Sequence, residues 1–301
     1  MPGYIGAGGV ARKVKAVYVG VGGVARKVQA VYAGVNGVAR KVWGGEEPFA
    51  YTYTGEHTES EITWEGQAYR LITLTGSGTF TVTSGSAAAD IWLCGGGKSG
   101  GRGKNTSTLN VRGGDGGHGA KAAQLTGHML QGAYTVSVAG ASGVSSFGDA
   151  VKSASGAGSG GGPGAYLSDG VTDTNPGDGE SKYPFGDTAN FYCHCAGGGG
   201  GGVDSGNLSS AGYSSKDGGN GGSNGGAGTY NDGSRGKGGK YGGGVGGLAE
   251  KTNTGRIEVT RQAGAGSYYG SGGGGGAGVY DYGASNGAAG YQGVVYVRIP
   301  A

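Results

Sequence analysis

The chain has 301 residues, among them 80 glycines and 6 prolines, with 23 Lys and Arg against 20 Asp and Glu. This much glycine without a strict three-residue period and abundant proline excludes collagen. Glycine has no side chain to bury and the most backbone entropy to lose, which excludes a conventional hydrophobic core over most of the length.

Residues 1–45 form a basic arm. Arg12, Lys13, Lys15, Arg26, Lys27, Arg40 and Lys41 stand there without an acid, giving +7, while the other 16 basic and 20 acidic residues give −4. The arm contains three copies of a 14-residue unit that start at Tyr4, Tyr18 and Tyr32, each of the form Tyr-x-Gly-x-x-Gly-Val-Ala-Arg-Lys-Val. Its valines recur at four and three residues, as in a coiled coil. The glycines oppose a helix, however, and Gly22-Gly23 and Asn36-Gly37 between β-formers signal hairpin turns, so a β-meander or trimeric β-prism is expected. Basic residues in isolated pairs, without a dense cluster or stacking aromatics, do not fit nucleic acid. Arg12, Lys13, Arg26, Lys27, Arg40 and Lys41 are candidate assembly residues facing an acidic partner.

Residues 46–94 read as ordinary β protein, with strands predicted at 49–54, 69–74, 79–83 and 90–93. Glu59, Glu61 and Glu65 are expected to be strand-face charges. Residues 95–301 hold 64 of the glycines, with uninterrupted runs at 197–202 and 272–276, and further strands are predicted at 134–138, 256–259 and 294–299. The fold class that follows is all-β: a small β-sandwich whose long loops are the glycine runs, packed as polyproline-II-type strands that exchange backbone hydrogen bonds.

Chemistry-bearing motifs are sparse. Gly95-Gly96-Gly97-Lys98-Ser99 lacks both the leading glycine and the following helix of a phosphate loop. Cys193-His194-Cys195 offers zinc-type donors, but successive residues cannot easily turn to one tetrahedral centre. Asp169, Asp173, Asp178, Asp187 and Asp204 lack calcium-loop spacing. The reading is therefore no catalytic set, no metal and no cofactor. Three cysteines, Cys94, Cys193 and Cys195, are an odd number and read as reduced thiols. Neither a secretory signal nor the ~20-residue apolar run of a membrane helix is visible, so membrane insertion is not expected.

The tyrosines remain. Tyr213, Tyr230, Tyr241, Tyr268, Tyr269, Tyr280, Tyr282 and Tyr291 all lie in glycine-rich context. Rigid rings with a polar tip among Gly, Ser and Asn are the materials of an adaptable binding surface, although they serve equally as spacers between glycine strands.

The order of elements adds a resemblance. The runs Tyr51–Gly55, Tyr69–Val82, Asp90–Gly97, Gly132–Gly140, Ser145–Gly148 and Gly290–Arg298 resemble the glycine-rich domain of tailed-phage and prophage tail proteins, and the Gly-Val-Ala-Arg-Lys-Val repeats resemble arms on prophage tail proteins. The resemblance implies a tail-tip, fibre or adhesin subunit in the distal virion tail, bearing polyglycine loops for a host-surface glycan or protein. It also implies partners among other tail proteins and copies of itself, a trimer being favoured. The alternative is a structural filament or sheath-like subunit. The segment 167–191 is poorer in glycine than the family pattern, and Cys193-His194-Cys195 is foreign to it.

Overall fold

The computed structural model describes residues 4–7, 10–13, 17–28, 30–35, 38–44, 47–103, 105–106, 113–152, 183–201, 203–204, 242–251, 257–280 and 284–301. The chain divides into two compact units, one of residues 1–52, 81–87 and 129–132, the other of residues 53–80, 88–128 and 133–301.

The repeat arm is β. Strand β1 (Tyr4–Ala7) pairs with β2 (Val10–Lys13), β3 (Val17–Val21) with β4 (Val24–Val28), and β5 (Ala30–Val35) with β6 (Val38–Gly44), all antiparallel. The middle hairpin turns on Gly22 and Gly23, both with φ positive at 60° and 79°, the two-residue turn whose twist matches flanking strands. The expected continuous meander is not formed among the described residues: each hairpin is its own two-stranded sheet. One unit holds one hairpin's worth of β-formers between turn glycines, so pairing closes locally.

The body contains β7 (Ala50–Tyr53), β8 (His57–Trp64), β9 (Gln67–Leu74), β10 (Gly78–Ser84), β11 (Ala87–Cys94), β12 (Asn105–Thr106), β13 (Ala122–Leu130), β14 (Ala133–Ser137), β15 (Ser146–Phe147), β16 (Val151–Lys152), β17 (Val203–Asp204), β18 (Leu248–Lys251), β19 (Ile257–Arg261), β20 (Gly278–Tyr280) and β21 (Val294–Pro300). Two five-stranded sheets, in the orders β16-β15-β14-β10-β7 and β13-β11-β21-β9-β8, make the sandwich. Antiparallel register aligns Ile72, Val297 and Ile91, and likewise Leu74, Val295 and Leu93, across the three central strands of the second sheet. All six are fully buried, as are Phe80, Val136 and Phe147 of the first sheet. The opposite face of β9, β11 and β21 carries Leu71, Trp92, Cys94, Val294 and Tyr296, which cluster with Ala120, Phe185, Phe191 and Cys195. Strand β21 is thus buried on both faces, which explains its apolar run Val294-Val295-Tyr296-Val297.

Beyond Cys94 the packing changes kind. The extended segment 270–277 donates backbone hydrogen bonds from Gly272 and Gly275 to Ala196 and Gly199, from Gly273 and Gly276 to Lys98 and Gly101, and from Gly274 to Gly264. It accepts at Gly276, Gly273 and Gly270 from Gly114, Gly117 and Ala120, at Gly272 and Gly275 from Gly244 and Gly247, and at Gly274 and Ser271 from Ala288 and Tyr291. Six segments therefore surround it, at N–O distances of 2.7–3.0 Å, and partners recur every third residue, the period of a polyproline-II helix. A Cβ on Gly272, Gly273, Gly274, Gly275 or Gly276 would overlap the carbonyl oxygens of Gly117, Ala288, Val245, Gly114 and Ser285 respectively. Glycine is required there by the neighbours' approach. The central segment continues into β20, which pairs in parallel with β12 and β17.

Candidate binding surface at the tyrosine turn

The central strand of the bundle begins at a tight turn, Tyr268-Tyr269-Gly270-Ser271. The Ser271 N–H donates to the Tyr268 carbonyl at 3.0 Å, and Gly270 takes φ +71°, a conformation that L side chains resist. The Ser271 hydroxyl donates to the same carbonyl at 2.6 Å, and its oxygen lies 3.2 Å from the Tyr268 N–H. Three further backbone bonds fix the turn in place: Gly270 N–H to Gln292, Ala120 N–H to Gly270, and Cys195 N–H to Tyr269.

The two tyrosines of this turn diverge. Tyr268 stacks on Tyr192, ring centroids 5.5 Å apart and planes 26° apart, and both face solvent, with Tyr192 67% and Tyr268 36% exposed. Tyr269 is half-buried, edge-on to Tyr291 at 5.7 Å and over the His194 ring at 5.7 Å. Burial, then the neighbouring Tyr291 and Cys94, push its phenol pKa upward. Tyr291 is 39% exposed.

Below the rings lies a polar clasp. His194 is buried, its Nδ1 2.8 Å from the Tyr192 carbonyl and its Nε2 3.0 Å from Tyr296 Oη. A carbonyl only accepts, so Nδ1 carries the proton and Nε2 accepts from the Tyr296 hydroxyl. Burial holds the imidazole neutral, its pKa pushed down to about 4 despite the opposing pull of the Tyr192 and Cys193 backbone, and drives the Tyr296 phenol well above its ordinary value. Trp92 packs edge-on against His194 at 5.4 Å. Both imidazole nitrogens are engaged, and Cys193 and Cys195 are buried, so this motif, foreign to the glycine pattern, braces Tyr192 from beneath.

Segments 190–196, 262–271 and 284–293 contain no Asp, Glu, Lys or Arg. Along 113–121, Asp115, His118 and Lys121 are exposed while the six residues between and before them are buried, one side chain outward per polyproline-II turn. The arrangement can offer flat stacking faces, phenol hydroxyls and nearby amides to a ligand.

Of the predicted binding residues, Tyr268 and Tyr269 belong to this surface, the second mainly as its support. Tyr280 lies on β20, and Tyr213, Tyr230, Tyr241 and Tyr282 lie outside the described residues. Tyr192 escaped sequence reasoning because it precedes Cys193-His194-Cys195 instead of glycine. Its signal was the aromatic run Phe191-Tyr192 ahead of a histidine. Of the assembly residues, Arg26 and Lys27 are exposed on β4, while Arg12 and Lys13 close β2 and Arg40 and Lys41 lie on β6. Glu59 and Glu61 stand on β8, Glu59 pairing with Arg70 at 2.7 Å, whereas Glu65 is not a strand-face charge: it sits in the β8–β9 turn with φ +49° next to Gly66 at +78°. Asp187 receives the N–H groups of Ala189 and Asn190 at 3.0 Å and serves as a local turn cap. Comparison with family models, curated proteins and solved structures yields no match to this chain.

Proposed function

We propose that the chain is a non-enzymatic attachment component of a tailed-phage or prophage tail, a tail-tip, fibre or adhesin subunit. The repeat arm anchors it to other tail proteins, copies of it associate with one another, and the glycine bundle displays a binding surface toward a host-cell glycan or protein. One observation carries this reading: stacked, solvent-facing Tyr192 and Tyr268, carried on segments that hold no charged residue and supported by a backbone lattice of glycine strands. A rigid aromatic surface loses little conformational freedom when a ligand docks.

The test is adsorption of the purified, labelled full chain to cells of the strain whose genome carries it. Replacing Tyr192, Tyr268 and Tyr291 together by Ala is expected to cut adsorption by about tenfold or more, with an unchanged melting curve, since these are exposed rings of the kind that dominate binding energy. Undiminished adsorption by a folded triple variant would return these rings to a packing role.

A further inference from the structure

The three arm hairpins share one register. In the first, Tyr4 pairs with Lys13, Ile5 with Arg12, Gly6 with Ala11 and Ala7 with Val10. In the second the pairs are Tyr18 with Lys27, Val19 with Arg26, Gly20 with Ala25 and Val21 with Val24, and in the third Tyr32 with Lys41, Ala33 with Arg40, Gly34 with Ala39 and Val35 with Val38. Directly opposed residues share a face and alternate residues lie on opposite faces. The middle hairpin therefore has one Arg-centred apolar face and one Tyr–Lys face, and the other two units repeat the Tyr, Lys and Arg residues at the same register positions. In the middle hairpin the first face holds Val17, Val19, Val21, Val24, Arg26 and Val28, and Val19, Val21 and Val24 are 50–60% exposed.

An isolated two-stranded hairpin is marginally stable in water, and exposed valines at this density mark an interaction surface. The charge says what covers it. Residues 1–45 contain no carboxylate, so packing these faces on their own copies in other chains would bury guanidinium or ammonium groups without a counter-ion, which is strongly unfavourable. We infer that the arm is a trivalent docking element: each hairpin seats the apolar residues that flank its Arg on an acidic, apolar protein surface that the partner presents in repeated, equivalent copies. This deepens the anchoring part of the function proposed above and names the partner's chemistry. Three matched sites on one chain turn the second and third contacts into intramolecular events, which raise avidity roughly 10²- to 10⁴-fold over a single contact. Oligomerisation of the chain then belongs to residues outside the arm.

The full chain is tested for binding to an immobilised glutamate–tyrosine copolymer, which offers carboxylates among apolar rings, with immobilised heparin as a polyanion without them. Binding to the copolymer well above heparin is expected. Removing Tyr18–Val31, one unit in phase, is expected to weaken copolymer binding by about tenfold or more through lost avidity. Replacing Arg12, Arg26 and Arg40 together by Gln weakens it further. Melting of the body serves as the folding control, and sedimentation velocity of the full chain and of a chain lacking residues 1–44 reports self-association. An unchanged oligomeric state on removing the arm supports the proposal. No copolymer binding by the unaltered chain, equal binding to heparin, indifference to the loss of a unit, or an oligomer that dissociates when the arm is removed would each overturn it. None of these readouts involves host cells, so failure here is separable from failure of the adsorption test.

Discussion

The sandwich and the glycine bundle are held together by opposite means. Between the sheets, stability comes from apolar side chains such as Ile72, Leu93 and Val297, all fully buried, and the backbone serves as their scaffold. In the bundle the backbone is itself the packing material: Gly272 to Gly276 share hydrogen bonds with six neighbouring segments. The first region tolerates added volume poorly and removed volume worse, and the second has no volume to remove. The difference teaches that glycine, destabilising in most folds, becomes irreplaceable where the nearest neighbour is another backbone.

The largest expected effect follows directly. Gly274→Ala would drive a methyl group into the Val245 carbonyl, and the strand is bonded to neighbours on every side, so it cannot shift away. A loss above about 4 kcal/mol, or no folded protein at all, is expected from this single carbon. Urea denaturation followed by intrinsic fluorescence measures it, and near-normal stability would break the comparison.

The opposite change, Ile72→Ala, is expected to cost the sandwich roughly 2–5 kcal/mol through lost burial and the cavity left between Ile91, Val297 and the facing sheet. A loss below about 1 kcal/mol would mean that the side chains matter less than the lattice.

Much of this contrast could be read from residue order. Strands β9, β10, β11, β14, β19 and β21 announce themselves by β-branched and aromatic residues, and the glycine runs do form the polyproline-II-type lattice. Strand β8 showed only in its strand-face charges Glu59 and Glu61, and β13 did not announce itself. They are the two edges of one sheet, where His-Thr-Glu-Ser-Glu or Ala-Ala-Gln-Leu-Thr can sit because only one side of the strand needs pairing. The bundle's register was equally hidden. Gly113 to Lys121 reads Gly-Gly-Asp-Gly-Gly-His-Gly-Ala-Lys, whose exposed third positions become legible only once the strand is known to be an outer one. Tyr192 was missed because its role depends on stacking against Tyr268, a neighbour 76 positions away that no local pattern connects.

The junction between the regions supplies a smaller effect, set by pH. His194 is neutral in the fold, with its pKa lowered to about 4, whereas an unfolded histidine titrates near 6.5. Above pH 6.5 both states are neutral and its full contribution is present. As pH falls from 6.5 toward 4 the unfolded chain takes up a proton that the folded chain refuses, and stability drops by an amount on the order of 2–3 kcal/mol. His194→Gln is expected to be less stable at pH 7 but to show a flatter decline between pH 7 and 4. Parallel pH profiles of melting temperature for the two proteins would place the acid sensitivity elsewhere.

The smallest effect sharpens the comparison most, because it repeats the first substitution at another glycine. Gly140 is exposed, and a Cβ built on it meets nothing within 4 Å, although its carbonyl lies against Gly96 at the edge of the bundle. Its φ lies outside the left-handed range, so alanine can adopt its conformation without strain. Gly140→Ala is therefore expected to be neutral or to stabilise by up to about 1 kcal/mol, because alanine restricts the unfolded chain more than glycine does. Opposite signs for Gly274→Ala and Gly140→Ala in the same denaturation experiment would tie the requirement for glycine to the distance of the nearest backbone. Equal losses at both positions would instead show that glycine is needed here for its own flexibility.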